Sequence, residues 1–430
     1  MAGGTKNIAV YADWEGLGGA LKLGILQAHV QAGHEVFEFE WAQDALNHPQ
    51  LIDIRLDPKL GSFAGRQFPD GEHANFGMFL DSCPDRWGRL LMRRRLERDK
   101  RKGLVPNSHR LVESDYLLGV HDLYRVGALR FRLDDAGAFL DDDAETAAPP
   151  FVRLRELEEA SQALERDDAD EAKQLDEWLK LLIAPGGSLG GARPKASVMS
   201  PDGRLWIAKF PSIRDEIDVG AWELLVYTLA KGCGLRVANA QAKRFASSAH
   251  TFLIERFDRT PQGQRRHFAS AMTMTGRKDG DDASTGASYL ELAQVLIDHG
   301  AQTNADLQEL WTRIVFNMHV SNTDDHLRNH GFILMPNQGW RLSEAYDMNP
   351  VPHSSGLKLN VSEADNAIDL DLAREVAPFF RLNAKQAEDI IFEVRTITAQ
   401  WRSIAEGLKI SRQEQESMSS AFRLAGDGKS

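Results

Sequence analysis

The chain opens with segments in which apolar and polar residues alternate. In the stretch HEVFEFEWA, Phe37, Phe39 and Trp41 fall on one face of an extended chain, and Glu38 and Glu40 fall on the other. This period of two is typical of a strand with one buried face. Helical spacing follows around FLDSCPDRWGRLLMRRRLE, and GALRFRL predicts a further strand. Residues 1–133 are therefore predicted to form a mixed α/β segment.

An acidic stretch, DDAGAFLDDDAETAAPP, separates this segment from the next. It occupies residues 134–150 and contains few large apolar side chains. Because such a composition buries little surface, the stretch predicts a linker. Two amphipathic, charge-rich helical stretches follow between Val152 and Leu182.

A glycine-rich segment then leads into a predicted hairpin. The sequence PGGSLGGARPKASVMSPDGRLWIAKF places a Pro-Asp-Gly turn between two short apolar runs. Proline presets φ and glycine supplies a positive φ, so this tripeptide favours a tight turn. In the second strand, Leu205, Ile207 and Lys209 fall on one face, which sets a lysine beside apolar neighbours.

A carboxylate lies on the apolar stripe of the next predicted helix, VGAWELLVYTLAKGCG. Glu223 follows Val219 by one turn and precedes Val226 by three residues. An unpaired buried charge is strongly unfavourable, so Glu223 needs a partner. Either side chain alone could extend to water. Because Lys209 is the nearest candidate in the preceding hairpin, the two together predict an ion pair.

The rest of the chain is predicted to be mainly helical. In NADLQELWTRIVFNMHV, large apolar residues form one broad stripe, which predicts a buried helix. The polar stretch SNTDDHLRNHGF follows directly. The segments FILM, PNQG and WRLS then predict a hairpin that leads to EAYDMNP.

Composition narrows the class of protein. The 430 residues include no apolar run near the roughly 18 residues of a membrane span, and the N-terminus has no secretory signal pattern. Cys83 and Cys233 stand far apart, which argues against a disulfide framework and a cysteine zinc site. These features predict a cytoplasmic protein without membrane contact. The formal charge of −12 argues against nonspecific DNA binding and favours a basic partner.

Three polar residues after the buried helix have the spacing of protein-kinase catalytic residues. Asn329 follows Asp324 by 5 positions, the D-x-x-x-x-N interval, and Asp347 follows Asp324 by 23. Phosphoryl transfer needs one carboxylate to orient the attacking hydroxyl, and separate oxygen ligands to hold Mg²⁺ on the nucleotide phosphates. The intervening hairpin is predicted to bring Asp347 back beside Asp324 and Asn329.

Two alternative sites fit the sequence less well. The glycines at positions 186 and 191 have the spacing of a Walker loop, but Ala192 follows where that motif requires lysine. His326 and His330 are four residues apart, as zinc ligands on a helix are, but Leu327 stands where the zinc-protease motif requires glutamate. We expect His330 to shape the loop by hydrogen bonding and His326 to position the catalytic loop.

Five ordered motifs, SLGGARPK, AKFP, IERFDR, NTDDHLRNHGF and AYDMNP, resemble the HipA family of bacterial serine/threonine kinases, the toxins of toxin–antitoxin pairs. The stretches FLDSCPDRWGR and LLGVHDLYRVGALRF resemble that family's extra N-terminal subdomain. The resemblance implies an α+β, two-lobed protein-kinase-like fold. Its parts would be an N-terminal subdomain over residues 1–133, the acidic linker over 134–150, a nucleotide lobe over 151–257 and a helical lobe over 258–430.

The resemblance also implies roles for individual residues. It makes Asp324 the catalytic base and places autophosphorylation at Ser188. The implied catalytic residues are Asp324, His326 and Lys209, and the implied Mg²⁺ ligands are Asn329 and Asp347. The implied ATP-binding residues are Leu189, Gly190, Gly191, Ala192, Lys209, Glu223, Glu255 and Phe257. The ending ARPK departs from the more polar AQEK-like ending of well-known members, which leaves the role of Lys195 open.

The family implies ATP and Mg²⁺ as cofactors and a translation component, such as an aminoacyl-tRNA synthetase, as the protein substrate. It also implies silencing by a HipB-like helix-turn-helix antitoxin and by autophosphorylation, with DNA contact only through that antitoxin. Two alternatives stay open. A small-molecule kinase would share the same aspartate–asparagine–aspartate pattern. A co-repressor would keep the fold and act by binding, although the intact set of kinase residues argues against it.

Overall fold

The computed structural model describes residues 5–31, 34–142, 149–166, 174–183 and 191–426. These residues pack as two units. The first is Met1–Ile213 with Glu255–Ala269, and the second is Arg214–Ile254 with Ser270–Ser430. The boundaries predicted from the sequence at residues 133, 150 and 257 stay predictions, because packing units and family segments are defined by different criteria.

The first unit begins with a five-stranded antiparallel sheet of order β4-β3-β2-β1-β5. Its strands are β1 (Lys6–Ala12), β2 (Leu21–Gln31), β3 (His34–Trp41), β4 (Arg66–Gln67) and β5 (Leu129–Arg132). The strands predicted at HEVFEFEWA and GALRFRL are confirmed as β3 and β5. Phe37 and Phe39 are buried, but Glu38 on the other face is also only 6% exposed, with its Oε1 3.2 Å from Arg66 Nη1. The polar face of this strand is therefore not uniformly solvated.

The helices of the first unit lie between the later sheet strands and after the last of them. They are α1 (Gln43–Leu46), α2 (Gly77–Leu80), α3 (Arg86–Arg101), α4 (Glu113–Leu118), α5 (Leu154–Leu164) and α6 (Leu175–Ile183). The last two are the helices predicted after the acidic stretch. Helix α3 begins at Asp85, whose side chain accepts a hydrogen bond from the Gly88 amide. Such a cap satisfies one of the amides that a helix leaves without an internal partner.

The predicted hairpin after the glycine-rich segment is confirmed. Strand β6 (Lys195–Met199) pairs antiparallel with β7 (Leu205–Lys209). The turn glycine, Gly203, has a φ of +79°, the left-handed conformation that glycine adopts without penalty. The register sets Lys195 opposite Lys209. Opposed residues of an antiparallel pair project from the same face, so this hairpin carries two lysines on one face.

The described parts of the predicted linker contact the strands of the first unit. Tyr11 donates a hydrogen bond from its hydroxyl to Asp135 (2.9 Å), and its ring meets the Phe139 ring edge-on with 5.4 Å between centroids. Residues 143–148 lie outside the described residues. Beyond them, the Met199 amide donates to the Pro149 carbonyl (3.1 Å). Both described ends of the acidic stretch are therefore attached, one to β1 and the other to β6.

The second unit is mainly helical, as predicted. Its helices are α7 (Val219–Gly232), α8 (Ala271–Met274), α9 (Tyr289–His299), α10 (Thr303–Val320), α11 (Leu370–Val376), α12 (Ala384–Thr398), α13 (Trp401–Gly407) and α14 (Arg412–Met418). Its strands are β8 (Ala240–Lys243), β9 (Thr251–Glu255), which ends in the first unit, β10 (Phe268–Ser270), which begins there, β11 (Gly331–Met335) and β12 (Gly339–Leu342).

Helix α10 forms the centre of the second unit. The residues of its predicted stripe are completely buried: Leu307, Leu310, Trp311, Ile314, Val315 and Met318. The hairpin predicted at FILM and WRLS is β11 and β12. It carries the chain from the end of α10 to the segment EAYDMNP, and this connection sets the geometry of the candidate site.

Two further sequence expectations concern membranes and cysteines. Within the part of the chain that the structure describes, no helix is both long enough and apolar enough to cross a membrane. Cys83 and Cys233 are buried free thiols. Burial raises the pKa of Cys233 to about 12, so this thiol stays protonated at neutral pH.

Candidate active site

The loop after α10 holds two adjacent aspartates in opposite environments. Helix α10 ends at Ser321, which has a left-handed φ of +48° and turns the chain away from the helix axis. Asp324 is exposed, whereas Asp325 is 3% exposed. The sequence singled out Asp324, and the structure shows that its neighbour plays a different part.

Asp325 accepts three hydrogen bonds on one carboxylate oxygen. The donors are the Tyr289 hydroxyl (2.6 Å), the Asn317 amide (2.6 Å) and His330 Nε2 (2.7 Å). Burial, followed by the charge of Asp325, raises the pKa of Tyr289 well above its usual range. The phenol therefore keeps its proton and donates. Asp325 therefore connects the loop to α9 and α10. No sequence motif predicted this role.

The histidines of this loop shape its backbone. His326 Nδ1 accepts a hydrogen bond from the Arg328 amide (3.3 Å) at the start of the short 3₁₀ helix Leu327–Asn329. His330 contacts Asp325, as given above. Within the described ranges, no three histidine, cysteine, aspartate or glutamate side chains converge as a metal site would require.

Asn329 has the geometry of a residue with a binding function. Its Nδ2 donates to the backbone carbonyl of Asp324 (3.0 Å), which closes the D-x-x-x-x-N interval into one loop. Its Oδ1 is buried and has no hydrogen-bond partner among the described residues. Buried side-chain oxygens are nearly always hydrogen-bonded, so this oxygen is available to an ion, a water or a ligand. An amide oxygen is a ligand that Mg²⁺ accepts.

The loop that carries Asp347 is held against the Asp324 loop by hydrogen bonds. The Tyr346 hydroxyl donates to the Arg328 carbonyl (2.8 Å), and the Asn349 amide donates to Asn322 Oδ1 (3.2 Å). Asp347 itself has a φ of +58°, which few residues other than glycine adopt. Such outliers cluster at functional sites. The structure thus brings together the two loops that hold Asp324, Asn329 and Asp347.

Glu223 lies on α7, in the same unit as these loops. Its side chain is 1% exposed. One turn later, the Tyr227 hydroxyl donates to the Ala345 carbonyl (3.2 Å) and so contacts the Asp347 loop. Burial raises the pKa of Tyr227 well above its usual range, and the charges of Glu223 and Asp347 raise it further. Both carboxylates therefore lie close to this phenol.

The other predicted nucleotide residues belong to the first unit. Lys209 is the half-buried last residue of β7, and Glu255 accepts two hydrogen bonds from Arg204 Nη1 (2.8 and 2.9 Å). The ion pair predicted between Lys209 and Glu223 involves residues of different units and stays a prediction. Among the residues predicted in the glycine-rich loop, Gly191 and Ala192 begin a described range. The other three, Ser188, Leu189 and Gly190, lie outside the described residues.

Sequence reasoning missed a buried charge cluster around the motif IERFDR. Arg256 Nη2 lies 2.6 Å from Asp258 Oδ2, and its Nη1 donates to the Tyr124 carbonyl (2.7 Å). The Gly127 amide donates to the same carboxylate oxygen of Asp258 (2.9 Å). Arg259 donates to the Arg125 carbonyl (2.9 Å). The cluster fastens the chain just after Glu255 to the segment 124–127.

Electrostatics explains how this cluster can be buried. Burial alone would raise the pKa of Asp258, but the charges of Arg256 and Arg259 hold it well below its usual range. The carboxylate is therefore ionised at neutral pH. Alternating charges along the motif would have been the only sequence signal, and such runs are usually solvated.

Comparison with solved structures defines the class of fold. The chain resembles the structure of a Shewanella oneidensis toxin–antitoxin complex of HipA, HipB and operator DNA, with a TM-score of 0.63 and 18% identity. The match covers 97% of this chain and 95% of that chain. The predicted α+β, protein-kinase-like fold of the HipA type is confirmed.

The family follows from the sequence comparison. A family model of the HipA-like C-terminal domain matches residues 187–401, half of the chain, and the chain belongs to this family. A Haemophilus influenzae protein, provisionally named a kinase, is 33% identical over 101 residues, which are 22% of this chain and 29% of that protein. Y4dM of Sinorhizobium fredii, also provisionally named a kinase, is 26% identical over 279 residues, which are 57% of this chain and 67% of that protein. The chain thus spans less than a third of the first relative.

Proposed function

We propose that this protein is an ATP- and Mg²⁺-dependent serine/threonine-protein kinase of the HipA type. The observation that carries the proposal is the loop pair of the second unit, which joins exposed Asp324 to Asn329 and Asp347. This is the set of groups that phosphoryl transfer requires: one base and two oxygen ligands for metal. Membership of the HipA-like family supports the same activity.

Asp324 would act as the base that orients the substrate hydroxyl and accepts its proton. Its carboxylate is exposed, while its backbone carbonyl is held by Asn329 and by the His326 amide (2.9 Å). These hydrogen bonds fix the backbone of Asp324 and leave its carboxylate accessible to a substrate. Such fixation suits a catalytic base, because a small displacement of a catalytic group reduces the reaction rate steeply. His326 would serve this arrangement as a positioning residue.

Mg²⁺ would be held by Asn329 and Asp347. The partnerless Oδ1 of Asn329 and the left-handed backbone of Asp347 fit that role. When bound, the ion supplies positive charge that stabilises the phosphate oxygens. Few protein ligands are needed, since Mg²⁺ in such sites also binds phosphates and water.

ATP would be bound by the residues that the family resemblance implies. Lys209, paired with Glu223, would contact the phosphates, and the backbone from Leu189 to Ala192 would cover them. The Arg256 amide already donates to the Leu205 carbonyl (2.9 Å), so contact with adenine would fall to the backbone of its neighbours, Glu255 and Phe257.

The proposed partners follow from the family. The Shewanella structure that this chain resembles contains HipA together with HipB and operator DNA. We propose a HipB-like helix-turn-helix antitoxin as a partner, with DNA contacted through it, and the net charge of −12 favours a basic partner. The proposed substrate is a cytoplasmic translation component such as an aminoacyl-tRNA synthetase.

Transfer of labelled phosphate from ATP tests the activity. Purified wild type should label protein in a lysate, and Asp324→Ala should not, although it should stay folded. Label on small metabolites would favour the small-molecule kinase. Absence of labelling by the wild type, together with stable antitoxin binding, would favour the co-repressor and overturn the proposal.

Autophosphorylation at Ser188 is the regulatory part of the proposal. A phosphate there would add about −1.5 to −2 charge close to the place of the nucleotide phosphates, so ATP affinity should fall. Intact-mass spectrometry after incubation with Mg–ATP should show one added phosphate in the wild type and none in Ser188→Ala or Asp324→Ala. An unmodified wild type would refute this switch.

A further inference from the structure

A buried ion pair joins the N-terminus of helix α3 to strand β6, which follows the glycine-rich segment. Lys195 Nζ lies 2.9 Å from Asp85 Oδ2, and the side chains are 2% and 0% exposed. The same ammonium donates to the Gly191 carbonyl (2.9 Å). One cation therefore connects the start of α3, strand β6 and the described end of the glycine-rich segment.

Asp85 is well suited to hold this cation. One of its carboxylate oxygens caps α3 by accepting from the Gly88 amide (2.8 Å), and the other accepts from Lys195. Helix α3 is 16 residues long, and the N-terminus of such a helix carries partial positive charge that favours a carboxylate. The cap fixes the direction of the carboxylate toward β6.

The position of Lys195 across from Lys209 makes the counter-charge important. Two ammonium groups on opposed positions of one hairpin repel each other. Asp85 neutralises the first of them and holds it in the protein interior. Lys209, the half-buried lysine of this hairpin, is the one proposed above to contact the nucleotide phosphates.

We infer that Asp85 and Lys195 are positioning residues for nucleotide binding. They fix the Gly191 end of the glycine-rich segment and hold Lys195 in the interior, away from the phosphates. This inference rests on the proposed kinase function. It gives Lys195 of the ARPK ending a role, and it makes the N-terminal segment, through Asp85, a part of the nucleotide-binding apparatus.

Asp85→Asn in the full-length protein is the informative variant. Asparagine caps a helix about as well as aspartate, so α3 keeps its cap, while Lys195 loses both the opposite charge and its acceptor. The affinity for Mg–ATP, measured by titration calorimetry, should fall by about tenfold or more, because binding must then order the Gly191 end of the loop that the ion pair no longer holds. Turnover at saturating ATP should fall much less. Lys195→Met should behave alike, and Lys195→Arg, which keeps the charge, should recover part of the affinity.

Glu113→Gln provides a matched control. It removes the charge from another ion pair of α3, in which Arg89 donates two hydrogen bonds to Glu113 (both 2.7 Å), and that pair does not include Gly191 or β6. Glu113→Gln should bind Mg–ATP as the wild type does. Hydrogen exchange should become faster over residues 191–199 in Asp85→Asn and stay unchanged there in Glu113→Gln.

The possible outcomes distinguish the positioning role of Asp85 and Lys195 from the proposed kinase function. If the wild type binds Mg–ATP and Asp85→Asn binds it equally well, the positioning role is refuted and the kinase proposal stands. If the wild type does not bind Mg–ATP, the kinase proposal fails and the positioning role fails with it. Affinity that falls in Glu113→Gln as much as in Asp85→Asn would show only a general loss of stability, which also refutes the inference.

Discussion

Substitution of Asp325 should reduce stability far more than substitution of its neighbour Asp324. Asp325→Ala leaves three buried donors, on Tyr289, Asn317 and His330, without their common acceptor. Each unsatisfied buried donor costs about 1–3 kcal/mol. Partial relaxation of the site reduces the sum, so we expect a loss of about 4 kcal/mol, similar to a broken buried ion pair. Asp324→Ala removes an exposed side chain and should change stability by less than about 0.5 kcal/mol.

Thermal unfolding by scanning calorimetry measures this difference. For a unit of roughly 200 residues, 1 kcal/mol shifts the midpoint by about 2–4 °C, so Asp325→Ala should unfold about 8–16 °C below the wild type. Tyr289→Phe removes one donor and should lose about 2 kcal/mol. In kinase assays on the same proteins, Asp324→Ala should be inactive although it is as stable as the wild type.

Equal stability of Asp325→Ala and Asp324→Ala would contradict this prediction. It would mean that the three donors find other acceptors and that Asp325 does not organise the loop. Asp325→Asn provides an intermediate test, since its amide oxygen can still accept from the three donors but lacks the charge of the carboxylate. Its stability should lie between that of Asp325→Ala and the wild type.

Three further predictions concern separate parts of the chain. Asp347→Ala should weaken Mg–ATP binding at least about tenfold in calorimetry, and equal affinity would refute its role as a metal ligand. A double-mutant cycle of Lys209→Met and Glu223→Gln should give a coupling of about 0.5–3 kcal/mol, and zero coupling would exclude their ion pair. Burial lowers the pKa of His267 to about 3, so the unfolded state binds a proton below about pH 6.5 that the folded state does not. Stability should therefore fall by about 1.4 kcal/mol per pH unit from pH 6 to 4, and His267→Phe, unlike His109→Gln at an exposed position, should reduce this slope.

The sequence predicted those features that depend on local patterns. The strand at Phe37 and Phe39, the Pro-Asp-Gly hairpin and the buried stripe of α10 follow from periodicity and turn chemistry, which act over a few residues. Asp324 and Asn329 also lie in one loop, as their spacing predicted, because a short interval in the sequence limits the distance between two residues.

The features that escaped prediction are pairs between distant residues. Asp85 and Lys195 are 110 residues apart, and Asp258 meets Gly127 across 131. No periodicity connects such positions, and a carboxylate in a charged run looks solvated until its partner is known. Asp325 was hidden for another reason: it stands beside Asp324 in a motif in which either aspartate could serve, and only burial distinguishes them.

The left-handed backbone of Asp347 has a consequence for attempts to stabilise this protein. Glycine adopts that conformation without steric penalty, so Asp347→Gly should leave the fold as stable as before or improve it. A selection for heat resistance alone would therefore accept this change, and the proposed metal ligand would be lost without any structural warning. Stabilising substitutions are often neutral or harmful to function for this kind of reason. Engineering of this chain for crystallisation or expression should exempt residue 347, since its present conformation is better explained by binding than by folding.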